Sequence, residues 1–318
     1  MIAHANLDVE ARWAGGSLAP AVAARVSAYG ALLAALAPDD PAPDADESTI
    51  EVWAPAAVDA TRLAAIAGHR VSVRVGTPPR ADVVWADAGP IGKAANDRRF
   101  GLALAGELGV ALPGARVITS GEKLEQALPV GPWICKLPWT AAGRDRCRGA
   151  GAPTPEQRTR LGRLLARCGA LVVEPWCERI VDAGQCGSVD ETGAIAIRPA
   201  HALLVDARGG FLGIELATPA LEATELAQLE ATARAAGAAL ARLAFVGRYA
   251  IDAFAYRAPD GARRFHPLCE LNARTTFGWI AHALAARLGT RQLGFSPAPP
   301  GATVLVRDTG DGVTAWAR

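Results

Sequence analysis

Residues 249–274 hold the feature that most limits what this chain can fold into. The run Tyr249-Ala250-Ile251-Asp252-Ala253-Phe254-Ala255-Tyr256 alternates in character and is rich in strand formers. Pro259-Asp260-Gly261 has the chemistry of a hairpin turn, and a second extended run, FHPLCELNAR, follows from Phe265 to Arg274. Folding back about Asp260 and Gly261 sets Asp252 opposite Glu270, to within one residue. The two-residue period of a strand puts Glu270, Asn272 and Arg274 on one face. Directly opposed β-carbons lie roughly 4.5–5.5 Å apart, where like charges repel. Both acids are embedded in apolar sequence, so the pair needs a cation. A few hard oxygen ligands suit Mg²⁺, with phosphate oxygens and water completing its octahedron. The competing reading is a solvated hairpin face.

At 318 residues the chain can bury a large core in two or three domains. Its formal net charge is +1, which gives no global field for nucleic acid or acidic membrane. No charge-free run reaches the roughly 18–20 residues of a membrane span, and Met1-Ile2-Ala3-His4 opens onto a polar segment, unlike a signal peptide. Six cysteines without CxxC spacing, mostly in apolar contexts, read as reduced thiols of a cytoplasmic protein.

Residues 18–36 show a helical apolar period, and 37–48 form an acidic, Pro-rich loop. Strands at 50–53, 69–75 and 83–85, the last one buried, alternate with helices at 58–67 and 93–108, with Gly109 as a helical stop. This predicts a small parallel sheet with helices on its faces. No G-x-G-x-x-G opens its first helix, which argues against a dinucleotide site. A second unit has strands at 116–119, 133–137 and 171–176 and helices at 122–128 and 154–168. The second of these helices opens on the capping box Thr154-Pro155-Glu156-Gln157. Residues 139–151 read as a flexible basic loop. Beyond them, 186–214 form an antiparallel meander, 224–243 and 277–288 are helices, and 303–306 is an edge strand.

Three stretches carry further chemistry. Lys136 stands in an apolar strand, where an unpaired charge is costly. Its ammonium suits a phosphate, and the alternative is an edge-strand lysine reaching water. The loop after it offers Thr140, Gly143 and Arg144, backbone and cation suited to an anion, though it lacks the G-K-[ST] of a P-loop. Glu174-Pro175-Trp176-Cys177 reads as a hinge whose carboxylate and Pro-broken backbone meet a purine and ribose, or as a structural ion pair. His201 and His266 read as structural histidines, Trp279 as core and His282 as surface. Arg198 is a candidate for a substrate carboxylate.

In order and spacing these pieces resemble the ATP-grasp superfamily of carboxylate–amine (or carboxylate–thiol) ligases. The match comprises Lys136, the 140–149 loop, the 174–177 hinge, the stretch Gly184-Gln185-Cys186-Gly187-Ser188-Val189, the strand residue Asp252, and Glu270-Leu271-Asn272-Ala273-Arg274 as E-x-N-x-R. It covers residues 96–288. The resemblance implies an α/β (α+β) architecture. A small N-terminal parallel-sheet domain (1–112) would precede two α+β subdomains (113–180 and 181–318) that enclose a nucleotide cleft. It also implies activation of a carboxylate by ATP to an acyl phosphate, then attack by an amine, on small-molecule substrates, with a homodimer left open. Lys136 would hold the α- and β-phosphates, residues 174–177 the adenine, and Asp182 would lie near the ribose. Asp252, Glu270 and Asn272 would bind Mg²⁺, and Arg274 would stabilise the transferred phosphoryl group or clamp a substrate carboxylate.

The chain departs from the family's pattern in three places. An earlier lysine of many members is replaced within Asn96-Asp97-Arg98-Arg99, with Arg98 or Arg99 as its substitute. Gln185 stands where an acid is common. Ala250 stands where amino acid ligases often have Arg, with Arg248 close by. A small-molecule kinase and a non-catalytic nucleotide-binding module are the alternatives.

Overall fold

The computed structural model describes residues 1–36, 49–55, 63, 70–121, 124–140, 145–206, 209–306 and 314–318. The loop expected at 37–48, nearly all of the helix expected at 58–67, and Gly143 and Arg144 lie outside them.

The described residues form three sheets. In the first, β1 (Ile2–His4) lies between β2 (Thr49–Ala54) and β4 (Val83–Val84), with β3 (Arg70–Val75) outside β2, and every pairing is parallel. The strand β1 is not signalled by the sequence, because three residues are too few to display a period. Its place is nevertheless inner, with Ala3 and Ala5 fully buried. The polar segment after it closes the sheet. The Asn6 amide donates to Ala86 O at 2.9 Å and accepts from Ala86 N at 3.1 Å. Helix α1 (Val9–Trp13) follows, then α2 (Pro20–Gly30), which runs into a 3₁₀ turn at Ala31–Leu36. Leu32 and Leu33 of that turn pack with Ile50 and Val52 in one core. Val84, expected to be buried, is 39% exposed, because β4 is the edge strand.

The helix expected at 93–108 is two helices, α3 (Pro90–Ala95) and α4 (Arg98–Glu107). The break has a cause. Asp97 caps α4 by accepting from Arg99 N, while Asn96 closes α3, its backbone N–H and side-chain amide both donating to Gly92 O and the side chain donating also to Ala273 O at 3.0 Å. The interruption therefore docks this segment onto the end of the hairpin, 177 positions away.

The second sheet is antiparallel, in the order β5 (Arg116–Ile118), β8 (Leu171–Pro175), β6 (Pro132–Lys136), β7 (Cys147–Ala150). Part of the expected 139–151 loop is thus strand. Because β6 lies between β8 and β7, Lys136 is not on an edge strand. Two helices accompany this sheet, α5 (Leu124–Ala127) and α6 (Pro155–Cys168). Both bonds of the Thr154–Gln157 capping box are present, and Gly169 ends α6 with φ +70°. Gly149 of β7 lies opposite Trp133, and a β-carbon there would stand 2.2 Å from the indole. Trp133 is fully buried and cannot retreat. Gly149→Ala is therefore expected to lower unfolding free energy by about 1–3 kcal/mol. Urea denaturation checks this, and an unchanged midpoint would refute the packing.

The third sheet has nine strands. Its main path runs β14 (Arg263–Asn272), β13 (Gly247–Arg257), β9 (Glu178–Val189), β11 (His201–Val205), β12 (Phe211–Glu215), β15 (Gln292–Ser296), β17 (Thr314–Ala317), β16 (Thr303–Val306), and β10 (Ile195–Ile197) pairs with β9. The meander expected at 186–214 begins earlier, so Asp182 and Gln185 sit within the 12-residue strand β9. The expected edge strand β16 is at the edge, but its neighbours β17 and β15 are not signalled by the sequence. Two helices, α7 (Ala223–Arg242) and α8 (Phe277–Leu288), complete the unit. The first packs Leu229, Ala233, Ala236 and Leu240 against Tyr249 and Ile251, fixing the hairpin from behind. Among the described residues, no helix is long and apolar enough to cross a membrane.

Candidate functional site

The hairpin places its two acids as its turn chemistry demands. Gly261 takes φ +81° at the turn, and Asp252 of β13 pairs directly with Glu270 of β14. Glu270 accepts from Arg98 Nη2 at 2.6 Å. The same guanidinium donates to Leu137 O at 3.1 Å, Thr140 Oγ1 at 2.8 Å and Thr140 O at 2.6 Å. Arg98 therefore ties the hairpin to the segment just after Lys136. Two residues on, Asn272 Nδ2 donates to Asp252 Oδ2 at 3.5 Å, and Asn272 Oδ1 accepts from Arg274 Nη2 at 2.8 Å. Arg274 Nε donates to Glu10 Oε1 of α1 at 2.7 Å.

Lys136, at the end of β6, faces the same cluster. Its Nζ donates to Glu174 Oε2 at 2.6 Å, with both side chains largely buried. Burial works against the ammonium, but Glu174, and beyond it Cys269 and Glu270, hold its pKa above the ordinary lysine value. The alternative reading of Glu174 as an ion-pair partner is thus realised, with Lys136 as the partner. An ammonium has three donors, so one bond to Glu174 does not exhaust it.

Four carboxylates (Glu10, Glu174, Asp252, Glu270) meet three cations (Lys136, Arg98, Arg274), and each cation is already paired. Among the described residues Asp252 has no ion pair. Burial, then the Glu270 carboxylate, push its pKa up to about 7. Glu270 goes the other way. Burial would raise it, but Arg98, Lys136 and Arg274 hold it below the usual range. Of the two, Asp252 is thus the carboxylate that binds a proton more readily. A divalent cation would satisfy that unmatched charge, and the donors are of the right kind, with Asp252 and Glu270 each offering carboxylate oxygen. Asn272 contributes the second lone pair of an oxygen already held by Arg274. Among the described residues, no group of three or more His, Cys, Asp or Glu could hold a metal. The sparse oxygen set suits Mg²⁺, which retains water and phosphate oxygens.

The hinge residues Trp176 and Cys177 link the second sheet to the third, since β8 ends at Pro175 and β9 begins at Glu178. Of the hinge backbone expected to meet a purine, the Trp176 N–H is already taken, donating to Pro132 O at 2.9 Å. The Trp176 ring carries the guanidinium of Arg148 at 4.0 Å. Asp182 Oδ1 accepts from Arg179 Nη1 at 2.6 Å, and Arg179 stacks on Phe254 at 4.2 Å and reaches Cys269 Sγ at 3.6 Å. The space enclosed by Arg98, Glu174, Cys269 and Glu270 is about 20 Å³, room for roughly one water.

A larger cavity of about 440 Å³ opens on the far side of Arg274, lined by Arg198, Arg248, Trp85 and Trp279. Of the two arginines considered for the missing lysine, Arg99 is clamped to Asp97, with bonds from Nε to both carboxylate oxygens at 3.0 Å. Arg98 is engaged with protein oxygens at both terminal nitrogens. His266 Nδ1 meets Val110 O at 2.9 Å, in keeping with a structural role. His282 is not a surface residue. It is half-buried, with its ring 5.7 Å from that of His201. Burial and then His282 depress the His201 pKa to about 3. Sequence reasoning missed Glu10 and Arg179 altogether, and foresaw Arg98 without its partner.

No protein-family model matches the chain, and no curated protein matches it by sequence. Solved structures do match by shape. N5-carboxyaminoimidazole ribonucleotide synthetase from Thermus thermophilus aligns over 100% of this chain and 93% of its own, at 16% identity and TM-score 0.56. The biotin carboxylase domain of the Hydrogenobacter thermophilus 2-oxoglutarate carboxylase, solved as a dimer with MgADP, ADP and bicarbonate, aligns over 99% and 85%, at 10% identity and TM-score 0.57. For N5-carboxyaminoimidazole synthetase from Staphylococcus aureus, complexed with ADP, the match spans 72% of this chain and 64% of that protein's length, at 10% identity and TM-score 0.47. The chain has the ATP-grasp fold.

Proposed function

We propose that this ATP-grasp chain is an ATP- and Mg²⁺-dependent ligase, activating a carboxylate as an acyl phosphate and joining it to an amine on a small amino acid-like substrate. The observation that carries the reading is the convergence of Lys136, the Asp252–Glu270 pair, whose Asp252 has no ion pair among the described residues, and Arg274 along one seam between the second and third sheets. Mg²⁺ held by Asp252, Glu270 and Asn272 would neutralise charge on the phosphates in phosphoryl transfer.

The residues then divide the work. Lys136, held by Glu174, presents its remaining donors to the phosphates. Glu270 and Asp252 supply the carboxylate oxygens, and Asn272 orients Asp252 and Arg274. Arg98 is a positioning residue that fixes Glu270 and Thr140, leaving the phosphates to Lys136. Arg274 keeps Nη1 for the substrate carboxylate, since that nitrogen has only a long 3.4 Å contact to Thr275 O. Adenine would lie against residues 174–177, near Asp182. Catalysis of this kind rests on positioning and electrostatics and needs no protein nucleophile.

The test is ADP release by the purified chain with ATP, Mg²⁺ and a panel of carboxylates and amines. Acid- and amine-dependent ADP formation is expected, with an amide product by mass. A phosphorylated product formed without amine would make it a kinase. Nucleotide binding without turnover across the panel would make it a binding module.

A further inference from the structure

The cavity beyond Arg274 carries more positive charge than one carboxylate needs. Arg248 shares a strand face with Asp252 by the period of two. Arg198 follows β10, and both guanidiniums stack on one indole, at 5.3 Å and 5.5 Å from the Trp279 ring. That indole is fixed, because Trp279 Nε1 donates to Tyr249 O at 3.0 Å. Among the described residues, neither arginine has an acidic partner. The two acids at the cavity rim are engaged with backbone instead. Asp82 accepts from Ile2 N at 2.8 Å, and Asp87 accepts from Gly89 N and Gly92 N at 2.9 and 3.0 Å. Two like charges that both lie within 6 Å of one ring repel each other. Burial, then Arg198, lower the Arg248 pKa from its ordinary value. An anion between them would relieve that repulsion.

We propose that the acid substrate is at least dianionic: Arg198 and Arg248 grip a second carboxylate or phosphate over the Trp279 ring, while Arg274 meets the carboxylate to be activated. This rests on the ligase reading for which end reacts, but the anion grip stands on its own geometry. A cavity of about 440 Å³ falls within the usual range for small-ligand sites. Arginine forks bind carboxylate and phosphate alike through paired charge-assisted bonds.

The test is calorimetric titration of the full chain with succinate, glutarate and adipate, with 3-phosphonopropionate, and with butyrate, valerate and caproate as matched monoanions. At least one dianion is expected to bind about 10-fold or more tightly than its monoanion. Arg248→Leu and Arg198→Gln should each weaken it by about 10–100-fold, with Mg-ATP affinity unchanged. Arg198 is exposed, so its variant tests the grip even if Arg248→Leu misfolds. A preference for the phosphonate over the dicarboxylates would identify the second group as phosphate. Equal binding of mono- and dianions, no dianion bound at all, or variants that bind as wild type would overturn the proposal. Dianion binding with no response to Mg-ATP would instead sink the ligase reading and leave the grip intact.

Discussion

Glutamine in place of Glu270 is expected to cut Mg-ATP-dependent ADP release by about 10²–10³-fold, the loss typical of removing one preorganised electrostatic group. The substitution keeps shape and removes one charge. That charge acts on two sides. Toward the hairpin it makes, with Asp252, the closely opposed carboxylate pair of the cluster, and without it Asp252 alone cannot hold a divalent ion against water. Toward the second sheet it balances Arg98, whose other partners are the oxygens of Leu137 and Thr140. Breaking a largely buried pair from one side costs about 3–5 kcal/mol, and the retained amide hydrogen bond offsets part of it. A modest fall in melting temperature should therefore accompany the kinetic loss, with an unchanged circular dichroism spectrum. Turnover within a few-fold of wild type, with its Mg²⁺ requirement intact, would reject the metal assignment.

What could be read from the sequence was what local chemistry decides. The Asp252–Glu270 register follows from a turn and a period, and the α6 cap from Thr154 and Gln157. The partners that hold the site together were not legible, because they lie far apart along the chain. Glu10 and Arg274 are 264 positions apart and Arg98 and Glu270 are 172 apart, and no pattern in either segment names the other. Strands of three to five residues, such as β1 and β15, are too short to show alternation and are set by the neighbours they join. The break before α4 illustrates the same rule. An unbroken helical period favours one helix across Asn96, but Asp97 caps a new helix there and the Asn96 side chain bonds Ala273 O as well as Gly92 O.

Asparagine in place of Asp252 is expected to abolish turnover and yet stabilise the metal-free protein above neutral pH. The sign follows from the direction of the shift. Asp252 titrates near 3.8 when unfolded and at about 7 in the fold, so the folded state holds a proton that the unfolded chain has released. The stability this group contributes is complete below pH 3.8 and is lost as pH rises through about 7. With a chelator present, wild-type melting temperature should thus carry a downward component between about pH 4 and pH 7, leaving it lower at about pH 8 than at about pH 5, and Asp252→Asn should lack it. At about pH 8 the variant should melt roughly 3–8 °C above wild type. Mg²⁺ should reverse the order, because it replaces the proton on the wild-type pair and raises that melting temperature by mass action, whereas the amide gives it one carboxylate fewer. Scanning calorimetry at the two pH values, with chelator and with Mg²⁺, reads all four states. If Asp252→Asn melted at or below wild type at the higher pH in chelator, the carboxylate would not be the unmatched charge, and the case for a cation between the two strands would fall with it.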